Sequence, residues 1–85
     1  MPDRTQQIDE IKALMRQYWD LPPDCNEGEL FTYAEILFDR IEAGEREAAL
    51  YPYLADVQAN ALHMPISEAY REIVDRSIAR AKGSN

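Results

Sequence analysis

The residues that could act as nucleophiles or general bases are few in this sequence. His63 is the only histidine and Cys25 the only cysteine. Ser67 follows His63 closely, but no acid stands nearby to orient the imidazole as a Ser-His-Asp arrangement requires. Cys25 lies beside Asp24 and near Glu27, whose negative charges disfavour a reactive thiolate. The sequence therefore predicts that the chain is not an enzyme, with Cys25 in a packing role and His63 in the last turn of a helix.

The sequence also contains no recognisable motif for metal binding or for a phosphate-binding loop. No Glu-x-x-His pair occurs, so a dinuclear site between helices is not expected. The acidic stretch at residues 24–28 lacks the twelve-residue spacing of a calcium loop. The three glycines, Gly28, Gly44 and Gly83, stand far apart and cannot form a phosphate-binding loop. We expect no metal and no cofactor.

Carboxylates are the side chains with the most informative spacing. Glu35, Asp39 and Glu42 stand at i, i+4 and i+7, so on a helix they share one face and repel each other. Glu45 and Glu47 extend the same acidic stretch. One interpretation is a solvated outer face, partly relieved by nearby arginines. The other is an acidic surface that binds a basic protein partner.

Two tyrosines, Tyr51 and Tyr53, flank Pro52 beside this acidic stretch. Aromatic rings in a small bundle commonly cover the core. Alternatively, one or both project and give a partner a rigid aromatic contact with a hydroxyl group. Together with the five carboxylates, they form the predicted partner-binding surface.

The overall charge supports a protein partner rather than a nucleic acid. The chain of 85 residues has a net charge of −7, and residues 20–56 alone hold ten acids against two arginines, which is −8. The flanking segments are close to neutral. Such a chain cannot neutralise phosphates, so we expect no direct binding to DNA or RNA.

The elements that must position these residues are predicted to be helices, because apolar residues recur at spacings of three and four. The first helix is expected from about Arg4 to Trp19, where the proline turn at residues 21–23 follows. Residues 26–29 have the form of a capping box that starts the second helix, and Gly44 is placed to end it.

The third helical segment contains Pro52, which removes one backbone donor. We expect a short helix from Glu45, an interruption near residues 51–52, and a second piece that ends at about His63. Ser67 is a plausible N-cap for the last helix, which is expected to reach Lys82. The predicted core is Ile8, Ile11, Leu14, Met15, Tyr18, Trp19, Leu30, Tyr33, Ala34, Leu37, Phe38, Ile41, Leu54, Val57, Ala61, Leu62, Tyr70, Ile73, Val74, Ile78 and Ala81.

These elements predict an all-α fold, a compact four-helix bundle of short helices whose third segment is broken or kinked near Pro52. Residues 1–85 are expected to form a single helical domain with an ordered core at about 4–82. No stretch is long and apolar enough to span a membrane, and none resembles a signal peptide. With one cysteine and therefore no internal disulfide, a cytoplasmic location is expected.

The layout resembles that of the immunity proteins of nuclease colicins, in its size, its acidity, its four helices with an irregular third, and the tyrosines beside Pro52. This resemblance implies a small acidic inhibitor or antidote, immunity-like or antitoxin-like, that neutralises a basic partner such as a nuclease toxin. The alternative is a helical adaptor or regulatory subunit that binds through an apolar face. One version of this alternative is a homodimer.

Overall fold

Four α-helices account for most of the chain in the computed structural model, which describes residues 3–21, 27–65 and 67–82. Helix α1 covers Arg4–Trp19, α2 Glu27–Glu42, α3 Glu47–Asp56 and α4 Ala69–Lys82. A π-helical stretch, Val57–Ala61, continues directly from α3. These described ranges contain no β-strand. The predicted all-α bundle of short helices is confirmed.

Helix α1 has the predicted bounds, and local contacts explain both of its ends. The Asp3 side chain accepts a hydrogen bond from the Gln6 backbone N–H at 2.8 Å, which caps the first turn. Asp20 adopts a left-handed conformation, with φ of 55°, and ends the helix. The prolines predicted to stop α1, and Asn26 of the predicted capping box, lie outside the described residues.

Helix α2 ends as predicted at a left-handed glycine. Gly44 has φ of +95°, a conformation that costs glycine little because it has no Cβ. Its N–H donates to the Ile41 carbonyl, and the next N–H, of Glu45, donates to the Arg40 carbonyl. This pair of bonds is the Schellman arrangement, which satisfies carbonyls that the helix end would otherwise leave free.

The third segment is irregular as predicted, but the irregularity lies after Pro52. Helix α3 runs through Pro52 without a break. The proline leaves the Ala48 carbonyl without its helical donor, yet both residues are exposed and water can replace the missing bond. The helical pattern changes at Val57, where the carbonyl accepts from the Leu62 N–H in a wider π turn. His63 is therefore in the loop that follows, at φ of 53°, and the prediction that it belongs to a helix end is wrong.

The core lies where α1 packs against α2 and α4, and where α3 packs against α4. Most of the predicted core positions are buried or half-buried, while Ala61 and Ala81 are exposed. Leu50, Gln58 and Ser77 are buried although no apolar stripe predicted them. The buried hydrophobic side chains are Ile8, Ile11, Met15, Trp19, Leu30, Ala34, Leu37, Phe38, Leu50, Leu54, Val57, Ile73, Val74 and Ile78.

Two buried side chains, Trp19 and Gln58, form a network with the backbone of two exposed residues, Pro65 and Ser67, and so join three parts of the fold. We call it the buried amide network. The indole N–H of Trp19 donates to Gln58 Oε1 at 2.8 Å. The Gln58 amide nitrogen donates to the backbone carbonyls of Ser67 at 3.0 Å and Pro65 at 3.4 Å. The network thus ties the end of α1 and the π-helical stretch to the loop that leads into α4.

Candidate protein-binding surface

Two of the predicted acidic residues, Glu35 and Asp39, face an arginine from the neighbouring helix. Arg4, the first residue of α1, donates to Glu35 Oε2 at 2.9 Å and to both carboxylate oxygens of Asp39. Its guanidinium also lies 5.4 Å from the centre of the Phe38 ring. We call these four residues the Arg4 cluster. The arginine that offsets Glu35 and Asp39 thus comes from α1.

Arg4 changes the electrostatics of α2 because it relieves the repulsion between stacked carboxylates. Its hydrogen bond and positive charge lower the pKa of Asp39, and the two acids raise the pKa of Arg4 in turn. The group remains accessible: the side chains of Arg4, Glu35 and Asp39 are 49%, 42% and 54% exposed. These carboxylates are therefore paired internally yet open to a partner.

The other three acids differ in how far they are engaged. Glu45 binds the Arg40 guanidinium at 2.8 Å, and this hydrogen bond raises the pKa of Arg40. Glu47 lies 3.3 Å from Arg46. Glu42, at the end of α2, is exposed and forms no ion pair within the described residues. Among the five predicted acids, Glu42 is thus the one whose charge no described cation offsets.

The two tyrosines point to different helices. The Tyr51 hydroxyl donates to Asp75 of α4 at 2.6 Å, and its ring meets the Tyr70 ring edge to face at 6.1 Å. The hydrogen bond to Asp75 raises the pKa of Tyr51. Arg71 lies over the Tyr51 ring at 5.6 Å. Tyr51 therefore helps to join α3 to α4.

Tyr53 points the other way, toward α2. Its hydroxyl donates to the Tyr33 carbonyl at 3.4 Å, and Arg40 lies 5.2 Å from its ring centre. Burial raises the pKa of Tyr53 to about 12. Both predicted tyrosines are half-buried and pack against the core, so they do not form one projecting aromatic surface.

Arg4 is the contributor to this surface that the sequence analysis did not include, whereas Arg40 is one of the nearby arginines expected there to relieve the acidic face. Arg40 stands close to Glu45 in sequence and could have been paired with it from spacing. Arg4 is 35 residues from Asp39, and only the packing of α1 on α2 brings them together. No local pattern could have identified that contact.

The described residues contain no cluster of three or more His, Cys, Asp or Glu side chains suited to a metal ion. Cys25, which was predicted to have a packing role, lies outside them. Within the same part of the chain, no helix has the length and apolarity needed to cross a membrane.

Comparison with known proteins adds no assignment to this surface. The resemblance to the immunity proteins depends on size, acidity, helix layout and the tyrosines beside Pro52. The chain matches no protein-family model, no curated protein and no solved structure.

Proposed function

We propose that this chain is a small acidic protein-binding module that acts in the cytoplasm as an inhibitor or antidote, immunity-like or antitoxin-like, of a basic protein such as a nuclease toxin. The observation that supports the proposal is an imbalance in surface charge. Each arginine or lysine side chain that the structure describes contacts an acid or an aromatic ring within the fold. Over the same ranges, several exposed acids form no ion pair: Asp20, Glu29, Glu42 and Glu68.

Such a surface attracts basic partners and offers little to others. The negative field of residues 20–56 would steer a positively charged protein and speed its association. A protein surface that normally meets phosphates is a natural target, because carboxylates can occupy the same positive site. Contacts would come from Glu35, Asp39, Glu42, Glu45 and Glu47, with the exposed parts of Tyr51 and Tyr53 beside them.

The adaptor alternative requires an exposed apolar face. Among the described residues, Ile36 is the one large hydrophobic side chain classed as exposed, at 39%. A single side chain is far from the contiguous apolar patch that marks a hydrophobic docking face. The inhibitor proposal is therefore preferred over an adaptor or homodimer that binds through apolar contacts.

The experiment captures the partner from the source cells with the tagged chain, then measures association rates of the purified pair across a range of salt concentrations. Replacing Asp39 and Glu42 together with lysine should slow association about tenfold and flatten its salt dependence, because long-range attraction acts on the encounter. Circular dichroism of the variant confirms that it folds.

The matched control reverses two acids elsewhere, Glu68→Lys with Glu72→Lys, and should change the association rate much less. Inhibition is tested by assaying the partner with an equimolar amount of the chain. An acidic partner, an association rate that does not depend on salt, or an equal effect of both double variants would contradict the proposal and favour the adaptor.

A further inference from the structure

A shallow groove of about 320 Å³ lies between the end of α2 and the last turns of α4. Its lining includes the apolar side chains of Ile41, Ile78 and Ala81, which we call the floor, and the charged side chains of Glu42, Glu45 and Arg46, which we call the rim. The groove exists because α2 contacts α4 much less than it contacts α1, and because a small residue, Ala81, faces the gap. We call it the α2–α4 groove.

Among the charged side chains on the rim of the α2–α4 groove, the one unpaired within the described ranges is negative. The positive charge of Arg46 is offset by Glu47 at 3.3 Å, and Glu45 is paired with Arg40. Glu42 is exposed and forms no ion pair among the described residues. Helix α2 also ends at this rim, and a helix C-terminus carries partial negative charge.

An apolar floor beneath a negative rim fits a particular kind of side chain. Lysine and arginine have a long aliphatic stem that packs on apolar surface and a cationic end that stays near water or an acid. A carboxylate side chain would be repelled by Glu42, and a purely aliphatic side chain would leave that carboxylate uncompensated. The groove is therefore complementary to a long cationic side chain.

We propose that the α2–α4 groove binds a lysine or arginine side chain of the basic partner, with the stem on Ile41, Ile78 and Ala81 and the cation beside Glu42. This inference rests on the proposed function and adds to it a defined insertion point. It also assigns a contact role to three apolar residues that charge alone would not include.

The experiment uses the full chain and short peptide probes at low salt, followed by NMR of the backbone amides. The probe is acetyl-Ala-Lys-Lys-Ala-amide. We expect saturable shifts at the amides of Gly44, Arg46 and Ala81. The matched peptide with ornithine in place of lysine keeps both charges on stems one methylene shorter, and it should bind at least twofold more weakly. The peptide with glutamate in place of lysine should cause no shift.

Two pairs of variants locate the site. Ala81→Phe fills the groove without a change in charge and should weaken binding of the lysine peptide at least fivefold, whereas Ala79→Phe, exposed on the same helix, should not. Glu42→Gln should weaken binding about threefold, and Glu68→Gln should leave it unchanged. Thermal melts of each variant verify that the fold is kept.

The groove assignment is overturned if Ala81→Phe binds the lysine peptide as tightly as the unmodified chain, if stem length has no effect, or if no amide shifts. It is also overturned if the peptide shifts only the amides around Glu35 and Asp39. That last result would leave the proposed function intact, since the acidic surface would still bind cations. The proposed function fails separately, through the charge and salt response of the captured partner.

Discussion

The buried amide network and the Arg4 cluster both join elements that are distant in sequence, but their side chains differ in exposure to water. Trp19 and Gln58 are each 3% exposed, and their hydrogen bond forms in the protein interior. The side chains of Arg4 and Asp39 are about half exposed, at 49% and 54%. The network consists of neutral groups with a few hydrogen bonds, whereas the cluster contains full charges and more contacts.

From this difference we expect exposure to water, rather than the number or charge of the contacts, to determine their contribution to stability. If a buried donor loses its partner, water cannot replace it, and the desolvation cost is felt in full. An exposed ion pair that is broken is rehydrated at once, and salt already screens it. We therefore expect the buried amide network to stabilise the fold, and the Arg4 cluster to contribute mainly to the electrostatic field at the surface.

The largest effect is expected from Gln58→Leu, which tests the buried side of the comparison. This change leaves the Trp19 indole N–H and two backbone carbonyls without their buried partner. The free energy of unfolding should fall by about 2 kcal/mol or more. Urea denaturation followed by far-UV circular dichroism measures it, a signal that is also present in variants without Trp19.

Trp19→Phe provides the second arm of a double-mutant cycle with Gln58→Leu. The two losses should be less than additive, because the second change removes a group that the first had already left unpaired. Full additivity would show that the hydrogen bond itself is not the source of the loss.

Tyr53 is half-buried, between the buried amide network and the exposed Arg4 cluster. We expect ionisation of its phenol to lower the free energy of unfolding by an intermediate amount. Its pKa, about 12, exceeds the ordinary value of 10.0, so the folded state holds the phenol proton more tightly than the unfolded state does. The resulting stability is complete below pH 10 and is lost as the pH rises toward 12. Denaturation measured from pH 9 to 12 should show this fall, and Tyr53→Phe should make it shallower. An equal fall in both proteins would mean that another group titrates.

The smallest change in stability is expected from Arg4→Gln, which tests the exposed side. The midpoint of urea denaturation should stay close to that of the unmodified chain, since solvent replaces the lost ion pairs. The effect should appear instead in the titration of Asp39, whose pKa should rise toward its ordinary value when observed by NMR.

The sign of this shift sets a pH range for the same variant. Because Arg4 lowers the pKa of Asp39, the stability it contributes is present near neutral pH and is lost as the pH falls through the folded-state value. The free energy of unfolding of the Arg4→Gln variant should therefore fall less as the pH is lowered. A loss of stability at neutral pH as large as that of Gln58→Leu would contradict the distinction between the two regions.

The bounds of α1 and the end of α2 could be predicted because their causes are local. Apolar spacing gave the bounds of α1, and Gly44 gave the end of α2, since a left-handed residue is needed there. The π-helical stretch could not be predicted in the same way. Gln58 has partners on Trp19 and on the loop before α4, and those partners are brought near only by the tertiary fold.

The residue types of the candidate site could be predicted, but the contacts of its acids with another helix could not. The i, i+4 and i+7 spacing correctly places Glu35, Asp39 and Glu42 on the outer side of α2, away from its buried stripe. Spacing along one helix says nothing about what a second helix brings to that side. The guanidinium of Arg4 and the separate directions of Tyr51 and Tyr53 both follow from helix packing.

The packing of α1 on α4 has a consequence for how the chain is made. Glu10 and Arg80 are 70 residues apart in sequence and form an ion pair, so α1 lies against a helix that is synthesised well after it. Ile73, Val74 and Ile78 of α4 supply part of the buried core. While α4 is still inside the ribosome, α1 has an uncovered apolar side, and the core can close only after α4 emerges.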